Sequence, residues 1–368
     1  MERNLGLDVL RGLLLVIMAI NHIPNPLREY TIQPIGFVSA AEGFIFLSAF
    51  VFGSIIKKRL ERNDLSGLNF LIRNRAKKIY LAHIMTLIFA FFVIGQFCHI
   101  EPVHNILGYY CDDPLSAMLG SLLLLYQPPL LDILPLYVIL LLYTFTLVKL
   151  VIRHGWPPIL LLSLAIWVLA QFGMKDHLAR LMSHQTTTYL GAFDPFSWQL
   201  LWVLGLAWGY AHGHASTQRI EPPRLLGIAS IALSLFFFCW RNPLIPFSIN
   251  LGSFEWILDK WRLGPLRLLN FFSVMGVILW INRHLSPEIL NSLKPLAHLG
   301  KNMLPLFCLH VCFSIVTISI VEHRQLSDWW CYLFLLLQLT LLYSVAQILG
   351  LFSNKPTSLL KPLAQRNP

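Results

Sequence analysis

The sequence predicts an all-α fold, a polytopic transmembrane helix bundle of about ten spans with both termini cytoplasmic. Three observations carry that expectation. Charged residues make up only 12% of the 368-residue chain and hydrophobic ones 56%, with a mean hydropathy of +0.63; a soluble domain carries about a quarter charged residues. The apolar residues gather into runs of about twenty, the length a helix needs to cross ~30 Å of hydrocarbon. Lys and Arg concentrate in alternate loops, which is the positive-inside pattern. The net charge of +10 therefore reads as a topology signal. It forms no basic patch interleaved with stacking aromatics, so no nucleic-acid partner is expected.

Span one covers 5–23 and is closed by Pro24 and Pro26. It carries Asp8 and Arg11 and is followed by no small-residue cleavage site, so it is expected to stay as a span and not to be removed as a signal peptide. Span two, 35–56, leads into a loop with Lys57, Lys58, Arg59, Arg62, Arg73, Arg75, Lys77 and Lys78 against Glu61 and Asp64. Placing that loop in the cytoplasm fixes every other loop by alternation. Span three, 79–97, emerges into a loop with Glu101, Asp112 and Asp113 and no Lys or Arg. Residues 115–126 are apolar but too short to cross, and Pro128-Pro129 closes them; a half-span or surface helix is expected.

Span four, 134–151, opens with Leu134-Pro135-Leu136-Tyr137 and ends at Lys149 and Arg153. Span five is 157–172, and a long polar segment to Asp194 precedes span six, 195–210. Spans seven (225–240) and eight (266–281) bracket the loop 241–264, and spans nine (302–321) and ten (329–349) complete the set. Residues 1–352 are thus one integral-membrane domain and 353–368 a short basic cytoplasmic tail. Cys98 and Cys111 flank a polar loop and could pair in an oxidising compartment, whereas Cys239, Cys308, Cys312 and Cys331 sit in apolar spans and read as inert.

Polar residues inside these spans are the candidates for function, because Asp or Arg at a helix centre costs roughly 2.5–3.5 kcal/mol. Asp8, Arg11, Leu15, Met18 and His22 are spaced by three and four and share one helical face. Asp8 and Arg11 are close enough to pair, and His22 lies eleven residues on, roughly 16 Å along the axis. Two readings stand for each: an interfacial pair and a helix-end histidine, or a cation near one membrane surface and a base near the other. Glu42 falls near the depth of His22 and needs a partner, for which His22 is the natural choice: a base and its orienter, a proton relay, or mutual neutralisation. His310, mid-span in Leu304-Pro305-Leu306-Phe307-Cys308-Leu309-His310, is either a helix–helix hydrogen bond or part of a shared cavity. Asp194 and Trp198 fit an N-cap and an interfacial anchor, with Trp198 also a pocket candidate, while Gln199 could bond a ligand. Arg73, Arg75, Lys77, Lys78 and Tyr80 are either a topology determinant or a dock for an anionic nucleotide. No metal-ligand spacing, Walker loop, GxSxG or dinucleotide fingerprint occurs, so neither a metal nor a serine nucleophile is expected.

Several of these elements resemble the acyltransferase-3 family. Leu7-Asp8-Val9-Leu10-Arg11-Gly12 resembles its LDxLRG opening, and Arg11 to His22 its Arg-x10-His spacing. The stretch from Glu42 to Phe50 resembles its second-span FFxLSGF element, with Ala49 where glycine is usual. Arg73 to Tyr80 resembles its RxxRIxPxY segment, with Ala82 where proline is expected, and Leu304 to His310 its late-span YLxH element. Residues 39–50, Leu134-Pro135-Leu136-Tyr137 and 194–199 are most similar to its OpgC branch.

The resemblance implies an enzyme of the bacterial inner membrane, an acyl-CoA-dependent O-acyltransferase with no bound cofactor. Cytoplasmic acyl-CoA, most simply succinyl-CoA, would be the donor, and a periplasmic glucan or other glycan hydroxyl the acceptor. It assigns His22 as the base and Arg11 as a donor-side cation; Glu42 as orienter of His22 comes from the depth argument alone. Asp8, Arg73, Arg75 and Tyr80 are the further donor-side candidates, and His310, Trp198 and Gln199 the pocket candidates. A pantetheine arm threaded through the bundle would carry a thioester from the Arg11 level to the His22 level. The competing class is a proton-coupled transporter or exporter, since Asp8, Glu42, His22 and His310 would also make a proton path. Transporters are commonly built from internal repeats with matched broken helices, and none is evident here.

Overall fold

The computed structural model describes residues 4–182, 191–212, 223–242, 244–247 and 249–353. The expected basic tail, apart from Ser353, lies outside the described residues. Every regular element is a helix: α1 (Leu5–His22), α2 (Arg28–Thr31), α3 (Ala40–Glu61), α4 (Leu65–Ile88), α5 (Glu101–Asp112), α6 (Pro114–Leu122), α7 (Ile133–His154), α8 (Trp156–Gln171), α9 (Met174–Met182), α10 (Pro195–Ala211), α11 (Arg224–Arg241), α12 (Pro265–His284), α13 (Pro287–Ser292), α14 (Lys294–Lys301), α15 (Met303–Arg324) and α16 (Asp328–Ser353). Each of the ten expected spans overlaps one of these helices, but α4 begins at Leu65, so Arg73, Arg75, Lys77 and Lys78, expected in a loop, lie within the helix that continues into span three. Eight are long and apolar enough to cross a membrane, and the α8–α9 pair, bent by 67°, makes a ninth if it is one span. At 17 residues α10 reaches only about 26 Å, a little short of the hydrocarbon thickness. The half-span expected over 115–126 is α6, nine residues long.

Local chemistry sets the ends. Asn4 accepts from the Leu7 N–H to cap α1, and the chain leaves α1 at extended Ile23, before Pro24. Asp194 caps α10 by accepting from the Phe196 N–H at 2.9 Å, with Pro195 in the first turn. The expected N-cap role of Asp194 is therefore present. Span three is continued past α4 by a π-helical turn over Phe89–Val93 and a 3₁₀ turn over Ile94–Phe97. Cys98 and Cys111 form a disulfide there.

Two close approaches place the site. Gly53 on α3 meets the Leu206 carbonyl of α10, and Gly209 of α10 meets the Phe50 carbonyl of α3, leaving no room for a Cβ at either. Ala49, the small residue where glycine is usual, packs on Gly205. Such small-residue stripes let backbones touch where lipid gives no hydrophobic drive to pair. The second approach is α1 on α14, where Gly12 faces the Leu296 carbonyl and Gly300 faces the Asp8 carbonyl. The core between α1, α3, α7, α10 and α15 is centred on Leu15, Ile45, Trp202, Leu206 and Leu306, all fully buried.

Candidate functional site

The periodicity of α1 sends Arg11 and His22 to one face but opposite ends of the helix, and a cavity lies at each. The cavity at the Arg11 end, about 470 Å³, is lined by Arg11, Arg75, Lys78 and Lys301 together with Phe44, Asn74, Leu134, Tyr137 and Phe307. Among the described residues, no Asp or Glu lines it. Asp8 is buried behind Arg11, with the guanidinium 3.6 Å from its carboxylate. Arg75 donates to the Tyr137 hydroxyl at 2.9 Å and lies 5.8 Å from the centroids of both Phe52 and Tyr137. Of the other two donor-side candidates, Arg73 is exposed and away from this cavity, and the Tyr80 hydroxyl donates to the Leu122 carbonyl at 2.9 Å, tying α4 to α6. The cluster thus divides by helical phase: Arg75 and the exposed Lys78, three residues apart, border the cavity, and Arg73 does not.

The cavity at the His22 end is larger, about 740 Å³, and mixes signs: His22, Arg28, Lys175 and Lys260 with Asp132 and Asp176, plus Asn21, Ser39, Gln127 and Trp261. His22 Nδ1 lies 2.8 Å from Nε2 of His310, the two rings stacked at 4.8 Å. His310 Nδ1 in turn has Gln338 Nε2 at 2.8 Å and the Ser314 hydroxyl at 3.3 Å. His310, Ser314 and Gln338 are fully buried, so this chain runs from cavity-lining His22 into the protein through Nδ1 and leaves Nε2 as the ring nitrogen outside it. Burial raises the Asp132 carboxyl to about 6, against the pull of Lys260 and Lys175. Burial likewise raises Asp194 and lowers the Lys260 ammonium.

Four expected placements are corrected. His310, a pocket candidate, lines neither cavity and bonds His22 from the buried side. Glu42 does not meet His22: one carboxylate oxygen accepts from the Arg267 guanidinium and the other from the Ser39 N–H and hydroxyl. Both Glu42 and Arg267 are buried, at 0% and 1% side-chain exposure, and the guanidinium is the stronger partner for a buried carboxylate. Trp198 lines neither cavity; it is fully buried, and its indole N–H donates to the Trp261 carbonyl at 3.0 Å, which holds Trp261 in the His22-end wall. Gln199 is taken up by Ser163 of α8, accepting from its hydroxyl at 2.7 Å and donating to its carbonyl at 2.8 Å. The polar residues missed are Arg267, Gln338, Asp132 and Lys260. Arg267 and Gln338 had a signal of their own, since each lies inside an apolar span.

The fold and site together define a polytopic membrane protein with a histidine dyad and a cation-lined vestibule at opposite ends of one helix. The chain belongs to the OpgC family: the family model described as OpgC protein matches residues 3–354. Membership marks it as a glucan-modifying membrane protein of the acyltransferase type. No curated protein and no solved structure matches it.

Proposed function

We propose that the protein is an integral-membrane O-acyltransferase of the bacterial inner membrane, moving an acyl group from cytoplasmic acyl-CoA to a hydroxyl of a periplasmic glucan. One observation carries the reading: among the described residues, a cavity lined by four cations and no carboxylate lies at one end of α1, and a histidine lining a second cavity lies at the other. Nucleotide phosphates suit the first, with Arg75 and Arg11 as planar forks and Lys78 and Lys301 as point charges. The roughly 16 Å between Arg11 and His22 is a distance that a pantetheine arm spans. The Cys98–Cys111 disulfide supports this orientation, because alternation puts its loop on the His22 side and disulfides persist in oxidising compartments. Succinyl is the acyl group we favour: Arg28 and Lys260 beside His22 suit a carboxylate at the far end of the chain.

In the reaction, His22 Nε2 takes the proton of the acceptor hydroxyl as its oxygen attacks the thioester carbonyl. The tetrahedral intermediate then expels the thiolate, and the proton passes to sulfur. For Nε2 to be the base, Nδ1–H must donate to His310 Nε2, so that His310 carries its own proton on Nδ1. Gln338 makes that chain when its amide oxygen faces His310 Nδ1; this reverses the orientation in which Nε2 faces it and Oε1 is buried with no partner among the described residues, and it gives up the Nε2 donation to the His310 carbonyl at 3.1 Å. His310 is thus a positioning residue for His22.

Thiol release from acyl-CoA and ester formation on added glucan test the reading in proteoliposomes. His22→Ala should lower kcat by about 10²–10⁴-fold and His310→Ala by a smaller factor, with donor binding retained in both. Wild-type ester formation by His22→Ala would refute the base. Proton-coupled solute flux with no thiol release would favour the transporter.

A further inference from the structure

The two cavities share one wall residue, Phe307 of α15. Their linings otherwise run end to end along the same helices: Ala41 then Phe44 on α3, Ile133 then Leu134 on α7. Phe307 is 3% exposed, stacked on Phe44 at 6.3 Å between ring centroids, and set edge-on to His310 at 6.0 Å. One helical turn therefore carries both the shared wall and the residue that bonds His22. We propose that Phe307 is a one-side-chain partition that the donor arm must displace to reach His22. In this role it determines specificity, because it holds the thioester away from His22, and so from water, until the arm is seated.

The inference rests on the donor and acceptor assignment of the two cavities given above. If the partition is lost, the uncoupled reaction is hydrolysis. Water's oxygen bonds the acyl carbon, the C–S bond breaks, and the proton His22 removed ends on the thiolate, giving free acid and thiol. Phenylalanine suits a reversible partition. Its flat ring fills the gap by dispersion contact and can swing about χ1 without breaking a hydrogen bond.

The test pairs a measurement of access with one of chemistry. Ala41→Cys, on the His22-end wall, is introduced into full-length protein with Cys239, Cys308, Cys312 and Cys331 replaced and the Cys98–Cys111 disulfide kept. Sealed vesicles then receive a small, charged methanethiosulfonate on the Arg11 side only. Labelling should be slow with Phe307, at least tenfold faster with Phe307→Ala, intermediate with Phe307→Leu and slow with Phe307→Trp. Acceptor-free thiol release from acyl-CoA should rise about fivefold or more in the same order. Equal labelling across the series overturns the partition, and faster labelling without added hydrolysis overturns its role in specificity. Should Phe307→Ala fail to insert, the Leu and Trp variants still decide the order. If even the unsubstituted protein releases no thiol with donor and glucan present, the acyltransferase reading fails, and the labelling series still decides the partition.

Discussion

The two ends of α1 solve opposite electrostatic problems with the same helices. At the Arg11 end, Arg11, Arg75, Lys78 and Lys301 face a cavity with no carboxylate on its wall. At the His22 end, three cations are balanced by Asp132 and Asp176 around an imidazole. An all-cation wall suits a polyanion and gives little to a neutral sugar. A mixed wall supplies donors and acceptors for hydroxyls. The ion pairs differ in the same sense. Asp8–Arg11 is loose, at 3.6 Å with Arg11 17% exposed, and borders a cavity; Glu42–Arg267 is tight and buried on both sides. The first can exchange partners with a ligand, while the second ties α3 to α12.

The largest effect should come from breaking the second pair. Glu42→Gln leaves a buried guanidinium without its counter-charge, which typically costs about 3–5 kcal/mol. The double variant Glu42→Leu with Arg267→Met should recover most of that, since an apolar pair of similar volume needs no compensation. Asp8→Asn should cost less than Glu42→Gln, because Arg11 borders a cavity and stays within reach of water when the charge of Asp8 is lost. Thermal unfolding in one detergent compares all three. Equal losses for Glu42→Gln and Asp8→Asn would erase the distinction between the pairs.

A smaller effect, and one that depends on pH, belongs to Asp132. Its folded pKa of about 6 exceeds the ordinary 3.8 because the carboxyl is buried, so between those values the native state holds more protons than the unfolded one. Stability therefore falls as pH rises through that window and stays lower above it. At 1.36 kcal/mol per pKa unit the loss reaches up to about 3 kcal/mol. Asp132→Asn should match the wild type near pH 4 and be more stable at pH 7, as read from denaturation midpoints at the two pH values. A constant offset at both would remove burial of the charge as the cause. Among the described residues no comparable carboxylate lines the Arg11-end wall, so Arg11-end variants should show no such window.

The bundle and the placing of Arg11 and His22 at opposite ends were legible because they follow from hydropathy and from period 3.6 along one helix; the start of α4 at Leu65 was not, because its first turns carry the basic residues that read as a loop. Partner choice between helices was not. Depth alone put Glu42 beside His22, but depth does not fix azimuth, and the rotation of α3 turns Glu42 to α12, where Arg267 waits. His310 was legible as a buried polar residue and illegible as a partner of His22, for the same reason. Trp198 and Gln199 were assigned to a pocket because they begin a span at the right level; α8 and the loop before α12 claim them first. Arg267 and Gln338 could have been flagged, since a charge or an amide inside an apolar run needs a partner whatever the fold.

The smallest predicted effect separates the two ends kinetically. Arg75 reaches the Arg11-end cavity through a fixed posture: its terminal nitrogen donates to Tyr137 and its plane rests near Phe52 and Tyr137. A lysine keeps the charge but loses the planar fork and the aromatic contact, so Arg75→Lys removes geometry and not sign. On the proposed reading, donor phosphates would lie about as far from the reacting carbon as the two ends of α1 are apart and would be held alike before and during transfer. The loss should therefore be one of uniform binding, a KM for acyl-CoA raised about fivefold to tenfold with kcat unchanged. Tyr137→Phe removes one hydrogen bond and leaves the ring, which should raise KM by about threefold or less. Arg73→Lys, outside the cavity, should change neither constant. Steady-state kinetics on the four proteins at saturating acceptor decide the matter. A fall in kcat for Arg75→Lys would mean that the cation at this end feels the transition state, and the division of labour between the two ends would then have to be abandoned.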